Sequence, residues 1–307
     1  MTNYKITFSR LGSKGRLGNQ LFQIASTIGM AKKNSFDYCF PKWEYSKYFE
    51  FDLKECFIDN KTFIKVREEK FEVYDWKLLN NKNINLDGWL QSEKYFDLKL
   101  TKKIFKFESI FLEKIKKEHI HFFDKKNILI SVRRGDFVNH PYFYQVGFKF
   151  YIKALFNFFP DWKSRNIIFM SDDIKYCKKY YSFLKNSFFI EDLSDIEQIA
   201  LGTLCDDYII SNSTFSWWIA WLGENKNTKI IRPKQNFRGE FLKKNDDKDF
   251  FPEQWIKFDD KTVLLEPKLY LVNIKIIIHD LIFDFNFYRK KYFYKFKQFI
   301  KKIIKYK

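Results

Sequence analysis

The stretch NILISVRRGDF, residues 127–137, decides the fold class of this chain. Its first part, Asn127–Val132, is a short apolar run that ends directly at two arginines. Apolar runs of this length are typical of strands that are buried on both faces, as in a parallel sheet. The pattern therefore predicts a central strand with Arg133, Arg134 and Asp136 at its carboxyl end.

Similar runs recur along the chain, separated by stretches with helical periodicity. The predicted strands are residues 4–8, 127–132, 166–170, 207–210 and 228–231, and the predicted helices are residues 21–31, 148–159, 174–184, 195–204 and 215–222. Strands that alternate with helices at this spacing form parallel sheets with helices on both faces. One such unit lies before about residue 125 and another after it, so we expect an α/β protein with two sheet domains that face a cleft.

The composition excludes several classes of protein. The chain has 307 residues, of which 46% are hydrophobic and 21% aromatic, and its formal net charge is +18. This apolar content excludes an intrinsically disordered chain, and the length suits one large or two ordinary domains. No uncharged apolar run approaches the roughly 20 residues of a membrane-spanning helix. The start of the chain lacks the apolar segment of a secretory signal, which favours a cytoplasmic protein.

The four cysteines, Cys39, Cys56, Cys177 and Cys205, are scattered along the chain. None belongs to a Cys-x-x-Cys pair, and no close cluster of cysteine and histidine occurs. We therefore expect neither a zinc site nor a disulfide framework, and the pattern favours a reducing compartment.

The last segment, residues 263–307, is set apart by its charge. It has 11 basic and 3 acidic residues, and its last nineteen residues contain no acid. Phe293, Phe296, Ile300 and Ile303 recur there at helical spacing with lysines between them. This pattern predicts a basic amphipathic tail that lies on the anionic inner face of the membrane. The alternative is a solvated helix packed on the domain by its apolar side, whereas nucleic acid binding would rest on charge alone.

Ligands of open parallel sheets bind at the carboxyl ends of the strands, so the residues that follow each predicted strand are candidates for a site. The guanidinium groups of Arg133 and Arg134 suit the oxygens of a phosphate or diphosphate, and Asp136 is placed to hold one of them. Asp172 and Asp173 follow the next strand. Their carboxylates would accept hydrogen bonds from a ribose or a purine, bind Mg²⁺, or cap the helix that follows.

The start of one predicted helix adds further polar groups. Ser213, Thr214 and Ser216 surround the start of one predicted helix, where free N–H groups and the helix dipole favour an anion. Capping of the helix is the structural alternative for these hydroxyls.

A Gly-x-x-Gly turn near the N-terminus precedes another predicted helix. Gly18 allows a close approach to the backbone, and Asn19 and Gln20 offer side-chain amides to a ligand. His140 lies four residues after Asp136 and is placed to reach the same site.

The order of these segments resembles that of the bacterial α-1,2-fucosyltransferases, glycosyltransferase family 11. The resemblance covers about residues 4–260, and its most specific stretches contain RRGD and NSTFSWW. In chain order the matching segments are GRLGNQLFQIA (15–25), LDGWLQSEKYF (86–96), SVRRGDF (131–137), FMSDD (169–173), SNSTFSWWIAWLG (211–223) and FFPEQWIKF (250–258). The tail lies outside the resemblance.

The resemblance implies an inverting enzyme that moves L-fucose from GDP-fucose to the 2-hydroxyl of a galactoside. The acceptor would belong to a surface glycan such as O-antigen, capsule or lipooligosaccharide. The implied fold is GT-B, two Rossmann-like domains facing a cleft, with residues 1–125 on the acceptor side and residues 126–262 on the nucleotide-sugar side. The basic tail would follow at residues 263–307. No metal and no cofactor are expected, since GDP-fucose is itself the donor substrate.

The matching positions also imply roles for individual residues. Arg133 is expected at the diphosphate, and Arg134 is expected to shape the acceptor side or to pair with Asp136. The implied donor-binding residues are Arg133, Ser131, Asp172 or Asp173, Ser213, Thr214 and Ser216, and the implied sugar-side residues are Gly18, Asn19 and Gln20.

One position departs from the family. Ser131 stands where the family usually has a histidine two residues before the paired arginines, which affects the expected nucleoside contact. Inversion normally needs a general base, for which Asp136 and His140 are the two candidates. The alternative functions are a GT-B transferase for another GDP-sugar or linkage, and an inactive membrane- or carbohydrate-binding homologue.

Overall fold

The computed structural model describes residues 4–59, 61–68, 82–265 and 269–305, which form two parallel β-sheets and the helices that cover them. The first sheet has the strand order β2-β1-β4-β3, and all of its neighbouring strands run parallel. Its strands are β1 (Lys5–Thr7), β2 (Asp37–Tyr38), β3 (Phe63–Arg67) and β4 (Asn83–Asp87).

The second sheet has the order β10-β9-β8-β5-β6-β7 and is also parallel throughout. Its strands are β5 (Asn127–Val132), β6 (Asn166–Ser171), β7 (Ser187–Phe189), β8 (Asp207–Ile210), β9 (Ile230–Pro233) and β10 (Ile256–Phe258). The α/β class and the division into one sheet before residue 125 and one after it are confirmed, and this arrangement fits a GT-B-like fold.

Helices connect the strands and close the two sheets into one body. They are α1 (Leu17–Lys33), α2 (Leu98–Ile104), α3 (Ser109–Glu118), α4 (Phe148–Phe158), α5 (Ile174–Tyr181), α6 (Asp195–Gly202), α7 (Thr214–Gly223), α8 (Gly239–Lys244) and α9 (Tyr270–Lys305). Helix α1 of the first half packs on α7 of the second half, where the ring of Phe22 lies 4.6 Å from Trp217 and 5.0 Å from Trp218. One apolar core therefore runs from the first sheet into the second half of the chain.

Each sheet has a point at which the strand order reverses. In the second sheet this point lies between β5 and β8, and in the first sheet it lies between β1 and β4. Parallel sheets bind their ligands in the crevice at the carboxyl ends of such strands. The residues that directly follow β5 and β8, and those that follow β1 and β4, are therefore the ones that the fold makes available to ligands.

The cysteine prediction was wrong for one pair. Cys39 and Cys56 form a disulfide, with their Cα atoms 5.6 Å apart, whereas Cys177 and Cys205 are free and buried. The sequence argument considered only closely spaced cysteines, and this pair is brought together by a parallel bridge between Phe40 and Glu55. Disulfides are rare in reducing compartments, so the bridge removes the support that the cysteine pattern gave to such a compartment.

The last helix, α9, is the longest element, and its side chains are described in part. Ile276 and His279 are buried against the second domain, whereas Leu281 and Phe285 are exposed. Among the described helices, none has both the length and the apolar content that crossing a membrane would need. The side chains of Ile300 and Ile303, two members of the predicted tail stripe, lie outside the described residues.

Lys102 links the two halves of the molecule. Its ammonium group donates hydrogen bonds to the carbonyl oxygens of Trp221 and Leu222 at the end of α7. A cation at this position satisfies carbonyl groups that have no partner within the helix. We expect Lys102→Ala to lower the free energy of unfolding by about 1–2 kcal/mol in urea denaturation. Lys103→Ala, one position along α2, should change it by less than about 0.5 kcal/mol, and an equal loss in both variants would contradict the interpretation.

Candidate active site

A pocket of about 470 Å³ lies between the two halves of the molecule and is lined by residues from both halves. The second sheet provides Arg133 and Asp172 at the ends of β5 and β6, and Ser213 after β8. The first half provides the turn before α1 and the side chain of Trp89. The pocket therefore occupies the crevice at the reversal point of the second sheet, where a doubly wound sheet binds its ligand.

Arg133 is the central cation of the pocket. Its Nη1 lies 3.1 Å from Oδ2 of Asp172, and its Nη2 donates to Oδ1 of Asp136. The side chain is 15% exposed, and its buried Nε has no hydrogen-bond partner among the described residues. The guanidinium is thus held between two carboxylates through its two Nη atoms, an arrangement in which phosphate oxygens would replace the carboxylate oxygens.

Arg134 takes a different direction from its neighbour. Its Nε lies 3.2 Å from Oδ2 of Asp173, and its guanidinium carbon lies 3.6 Å from the centre of the Tyr176 ring. The predicted pair between Arg134 and Asp136 was wrong, because Asp136 pairs with Arg133 instead. The hydroxyl of Tyr176 in turn bonds to Nε2 of His279 at 2.7 Å, so Arg134 stands between the pocket and α9.

The two aspartates after β6 have separate roles. Asp172 lines the pocket and accepts a hydrogen bond from the backbone N–H of Arg134 at 2.9 Å. Asp173 is the N-cap of α5, where its carboxylate accepts from the N–H of Tyr176 at 3.1 Å. The helix-cap interpretation therefore applies to Asp173, and Asp172 is the one available to a ligand.

Three serines form a hydroxyl network beside the pocket, Ser131 at the end of β5 and Ser211 and Ser216 around the start of α7. The Oγ atoms of Ser131 and Ser216 are 2.7 Å apart, and those of Ser216 and Ser211 are 2.8 Å apart. Ser213 is the N-cap of α7 and accepts from the N–H of Phe215, while Thr214 lines the pocket beside it. Ser131 thus joins a buried chain of hydroxyls at the position where the family usually has a histidine.

The N-terminal turn reaches the pocket with two of its three predicted residues. Asn19 lines the pocket, and its Oδ1 accepts from Gln91 at 2.6 Å. Gly18 lines the pocket as well, but its close approach is to the backbone of α7. Gln20 is turned into the protein, where its Oε1 accepts from the indole N–H of Trp43 at 2.8 Å. It positions the turn and is not placed to touch a ligand.

The two candidates for the general base, Asp136 and His140, lie in different surroundings. Asp136 lines the pocket, and its carboxylate is 60% exposed. His140 accepts from the N–H of Tyr142 through its Nδ1 at 3.2 Å, and its ring packs 4.6 Å from that of Phe143. Of the two, Asp136 is the one among the lining residues of the pocket.

Sequence reasoning missed an aromatic wall on the second domain. The ring centres of Phe137 and Phe143 are 4.0 Å apart and stacked, and those of Tyr142 and Phe241 are 4.7 Å apart. All four side chains line the pocket. Since the chain has 38 Phe and 18 Tyr, no local pattern distinguishes these residues from those of the core.

Comparison with known proteins agrees with the fold. A family model described as glycosyl transferase family 11 matches residues 2–259. An α-1,2-colitosyltransferase of Escherichia coli is 27% identical over 293 residues, which cover 80% of this chain and 97% of the relative. A galactoside 2-α-L-fucosyltransferase of Caenorhabditis elegans is 29% identical over 58% of this chain and 53% of the relative. The O-antigen biosynthesis glycosyltransferase WbnK of Escherichia coli is 28% identical, but the match spans only 39% of its length.

Solved structures resemble this one at the level of the fold. The crystal structure of fucosyltransferase NodZ from Bradyrhizobium superposes with a TM-score of 0.50 over 71% of this chain and 93% of that chain, at 12% identity. At this identity the likeness concerns the arrangement of sheets and helices.

Proposed function

Because the chain belongs to glycosyltransferase family 11, with the family model matching residues 2–259, we propose that it transfers L-fucose from GDP-fucose to the 2-hydroxyl of a galactoside. The position of Arg133 supports this most directly, since it lies in a pocket that both halves of the chain line, at the reversal point between β5 and β8. A nucleotide-sugar donor would occupy the second sheet's side and the acceptor the first sheet's side. The anomeric configuration would invert in a single displacement.

The leaving group in this reaction is a diphosphate, whose developing negative charge must be stabilised. Arg133 would bind the phosphate oxygens, and the free N–H groups at the start of α7 would add the helix dipole, with Ser213 and Thr214 beside them. The hydroxyl of Ser216 faces the same wall. We propose that these groups suffice without a metal ion, with Asp172 left to accept hydrogen bonds from the ribose or the guanine.

Donor binding would also prepare the general base. In the free protein the carboxylate of Asp136 is bonded to Arg133. When the diphosphate binds Arg133, it would displace this carboxylate from the guanidinium and leave it free to face the acceptor. Asp136 would then accept the proton of the acceptor hydroxyl as the bond to the anomeric carbon forms. The order of events ties proton removal to an occupied donor site.

A second candidate function differs in the sugar. One relative is named α-1,2-colitosyltransferase, and that match covers 80% of this chain. The same phosphate site would serve any GDP-sugar, because Arg133 and α7 face the diphosphate and not the sugar.

Release of GDP is the measurement that tests these functions. Wild-type protein is supplied with GDP-fucose in EDTA, with and without lactose as a β-galactoside. EDTA-resistant release that lactose stimulates would support the proposal, and analysis of the product would establish the linkage. Release from another GDP-sugar, with none from GDP-fucose, would support the second candidate and overturn the fucose assignment.

We further propose that the tail attaches the enzyme to an anionic membrane surface, at the inner face where lipid-linked precursors of surface glycans would be modified. The exposed side of α9 has a row of large apolar side chains. They are Leu271, Ile274, Ile277, Ile278, Leu281, Ile282, Phe285, Tyr292, Phe293 and Phe296. Basic residues alone provide the charge beyond Arg289, and each would add about 1 kcal/mol near anionic lipid. An apolar row beside basic residues is what an interfacial helix requires.

Charge placed on this row should weaken vesicle binding. We expect Leu281→Glu with Phe285→Glu to reduce binding to vesicles of anionic lipid by about tenfold or more in flotation. Each substitution replaces an exposed apolar side chain, which would insert into the membrane, with a negative charge. Phe57→Glu with Ile110→Glu is the control, because these side chains are 92% and 84% exposed and lie in the first half of the chain. Equal binding by both variants would show that α9 is not the membrane contact.

A further inference from the structure

Four basic side chains surround one carboxylate at the carboxyl edge of the first sheet. The Nζ atoms of Lys14 and Lys65 lie 2.9 and 3.0 Å from the carboxylate oxygens of Asp87. Nη1 of Arg10 and Nε of Arg67 lie 3.6 and 3.5 Å from the same carboxylate. We call Arg10, Lys14, Lys65 and Arg67 the basic cluster.

The basic cluster lies at the place where the first sheet would bind a ligand. Arg10 follows β1 and Asp87 ends β4, and the strand order of this sheet reverses between those two strands. Ser9 and Asn85 join the same strand ends, with the N–H of Ser9 donating to Oδ1 of Asn85 at 3.0 Å. The basic cluster therefore stands at the carboxyl ends of parallel strands, the edge at which such sheets bind ligands.

Trp89 connects the basic cluster to the active-site pocket. Nζ of Lys14 lies 4.9 Å from the centre of the Trp89 ring, and this ring is 40% exposed and lines the pocket. Trp89 lines the pocket from the first half of the chain, the side that we assign to the acceptor. Arg133 and Asp172 line it from the second sheet. A molecule that rests on Trp89 would thus extend from the pocket toward the basic cluster.

Among the described residues, the ion pairs of the basic cluster join four cations to a single carboxylate. All four cations lie within 3.6 Å of Asp87, whereas the neighbouring Glu68 is bonded to the N–H groups of Trp89 and Leu90. Burial raises the pKa of Asp87, but hydrogen bonds from Lys14 and Lys65 lower it to about 2, so this carboxylate stays charged and remains bound. The contacts with Asp87 do not use all the hydrogen-bond donors of these cations, because an arginine has five N–H donors and a lysine three.

The outer members of the basic cluster are open to a ligand. The side chains of Arg10 and Lys65 are each 51% exposed and that of Arg67 is 71% exposed, whereas Lys14 is largely buried beneath them. Two arginines and two lysines around Asp87 provide N–H donors for the oxygens of a phosphate group. Guanidinium groups bind such oxygens in a bidentate manner.

We propose that the basic cluster is an acceptor subsite that binds a phosphate group on the acceptor glycan, with Trp89 supporting the sugar between this phosphate and the reacting galactose. The proposal rests on the proposed function, because it assigns the acceptor to the first sheet's side of the pocket. It identifies the acceptor class as a phosphorylated glycan, in place of a neutral one.

The test compares acceptors that differ only in the phosphate. Wild-type protein should use lactose 1-phosphate with a kcat/KM at least about tenfold above that of lactose, which corresponds to about 1.4 kcal/mol. Lys65→Ala with Arg67→Ala should reduce this preference to less than about threefold, and salt should reduce it in the wild type because the side chains are exposed. The preference is the ratio of kcat/KM for the two acceptors, measured with the same donor. Any effect of a variant on donor binding therefore cancels in this ratio. Inorganic phosphate should compete with lactose 1-phosphate more strongly than with lactose.

The matched control removes the same charge from the opposite edge of the same sheet. Lys61 and Lys82 are exposed and lie just before β3 and β4, whereas Lys65 and Arg67 lie at the other end of β3. Lys61→Ala with Lys82→Ala should keep the wild-type preference. An equal loss in the control would trace the effect to net charge and overturn the subsite.

Failure of this proposal differs from failure of the proposed function. Transfer to lactose without preference for lactose 1-phosphate would overturn the subsite and leave the function in place. If GDP-fucose releases no GDP under any condition, the function fails, and calorimetry with lactose 1-phosphate then decides on the subsite. Binding that the Lys65→Ala and Arg67→Ala variant loses would support it, and equal binding by both proteins would overturn it.

Discussion

Arg133→Ala is expected to lower kcat for sugar transfer by about 10²–10³-fold, the usual cost of removing one group that stabilises charge in the transition state. Arg133 is the cation held between Asp136 and Asp172 in the pocket. Without it the diphosphate would meet the carboxylates of Asp136 and Asp172 with no guanidinium held between them. The loss of Arg133 would destabilise the leaving group in the transition state and also the bound donor in the ground state. KM for the donor should therefore rise as well.

Two further variants make this expectation specific. Arg133→Lys keeps the charge but loses the planar fork, and its activity should lie between those of the wild type and the alanine variant. Arg134→Ala removes the neighbouring charge, which lies on Tyr176 and pairs with Asp173, and should cost less than about tenfold. Steady-state GDP release with and without lactose measures all three, and far-UV circular dichroism verifies folding. A larger loss in Arg134→Ala than in Arg133→Ala would reverse the assignment of the phosphate contact.

The different directions of the two arginines follow from strand geometry. Successive residues of a strand point to opposite sides, and Arg133 and Arg134, which directly follow β5, likewise diverge and meet different carboxylates. The sequence predicted that both stand at the end of β5, and the structure confirms it. It did not reveal which carboxylate each would meet, because Asp172 and Asp173 arrive from β6 and their side chains diverge in the same way.

The well-predicted strands are the central ones. Asn127–Val132 and Asp207–Ile210 appear with the predicted bounds, since a strand buried on both faces is a continuous apolar run. The strands β2, β3, β4, β7 and β10 were missed. Three of them, β2, β7 and β10, are two or three residues long and owe their pairing to neighbours distant in sequence, whereas β3 and β4 are five residues long and contain charged or amide side chains that interrupt the apolar run. Short edge strands have too few residues to establish a period.

The basic cluster was missed for a related reason. Its members stand in two separate stretches of sequence, residues 10–14 and 65–67, and meet around Asp87 only because β1, β3 and β4 end at one edge of a sheet. In a chain with 56 Lys and Arg, no local pattern sets these four apart. The donor side was predictable because its residues lie within motifs, whereas the acceptor side is assembled by strand order.

The contact between α1 and α7 holds the two sides in register, and it depends on a glycine. A Cβ atom built on Gly18 would lie 2.7 Å from the backbone N of Phe215 and 2.7 Å from the backbone C of Thr214. Ordinary van der Waals contact begins at 3.4 Å, so one of the helices has to move. Both neighbours are backbone atoms at the start of α7, and no side-chain rotation can relieve the overlap.

Gly18→Ala is therefore expected to reduce transfer by about 10²-fold, because a displacement of this size at the start of α7 misplaces the phosphate site relative to the first sheet. It should also lower the free energy of unfolding by about 1–3 kcal/mol, as overpacking usually does. Enzyme assays and urea denaturation measure the two effects. Gly147→Ala is the control, since its nearest neighbour, Cε1 of His279, would lie 3.9 Å away in ordinary contact. Gly18→Ala with full activity and unchanged stability would show that α1 and α7 can separate without harm, and the pocket would then not need the two domains to be held this closely.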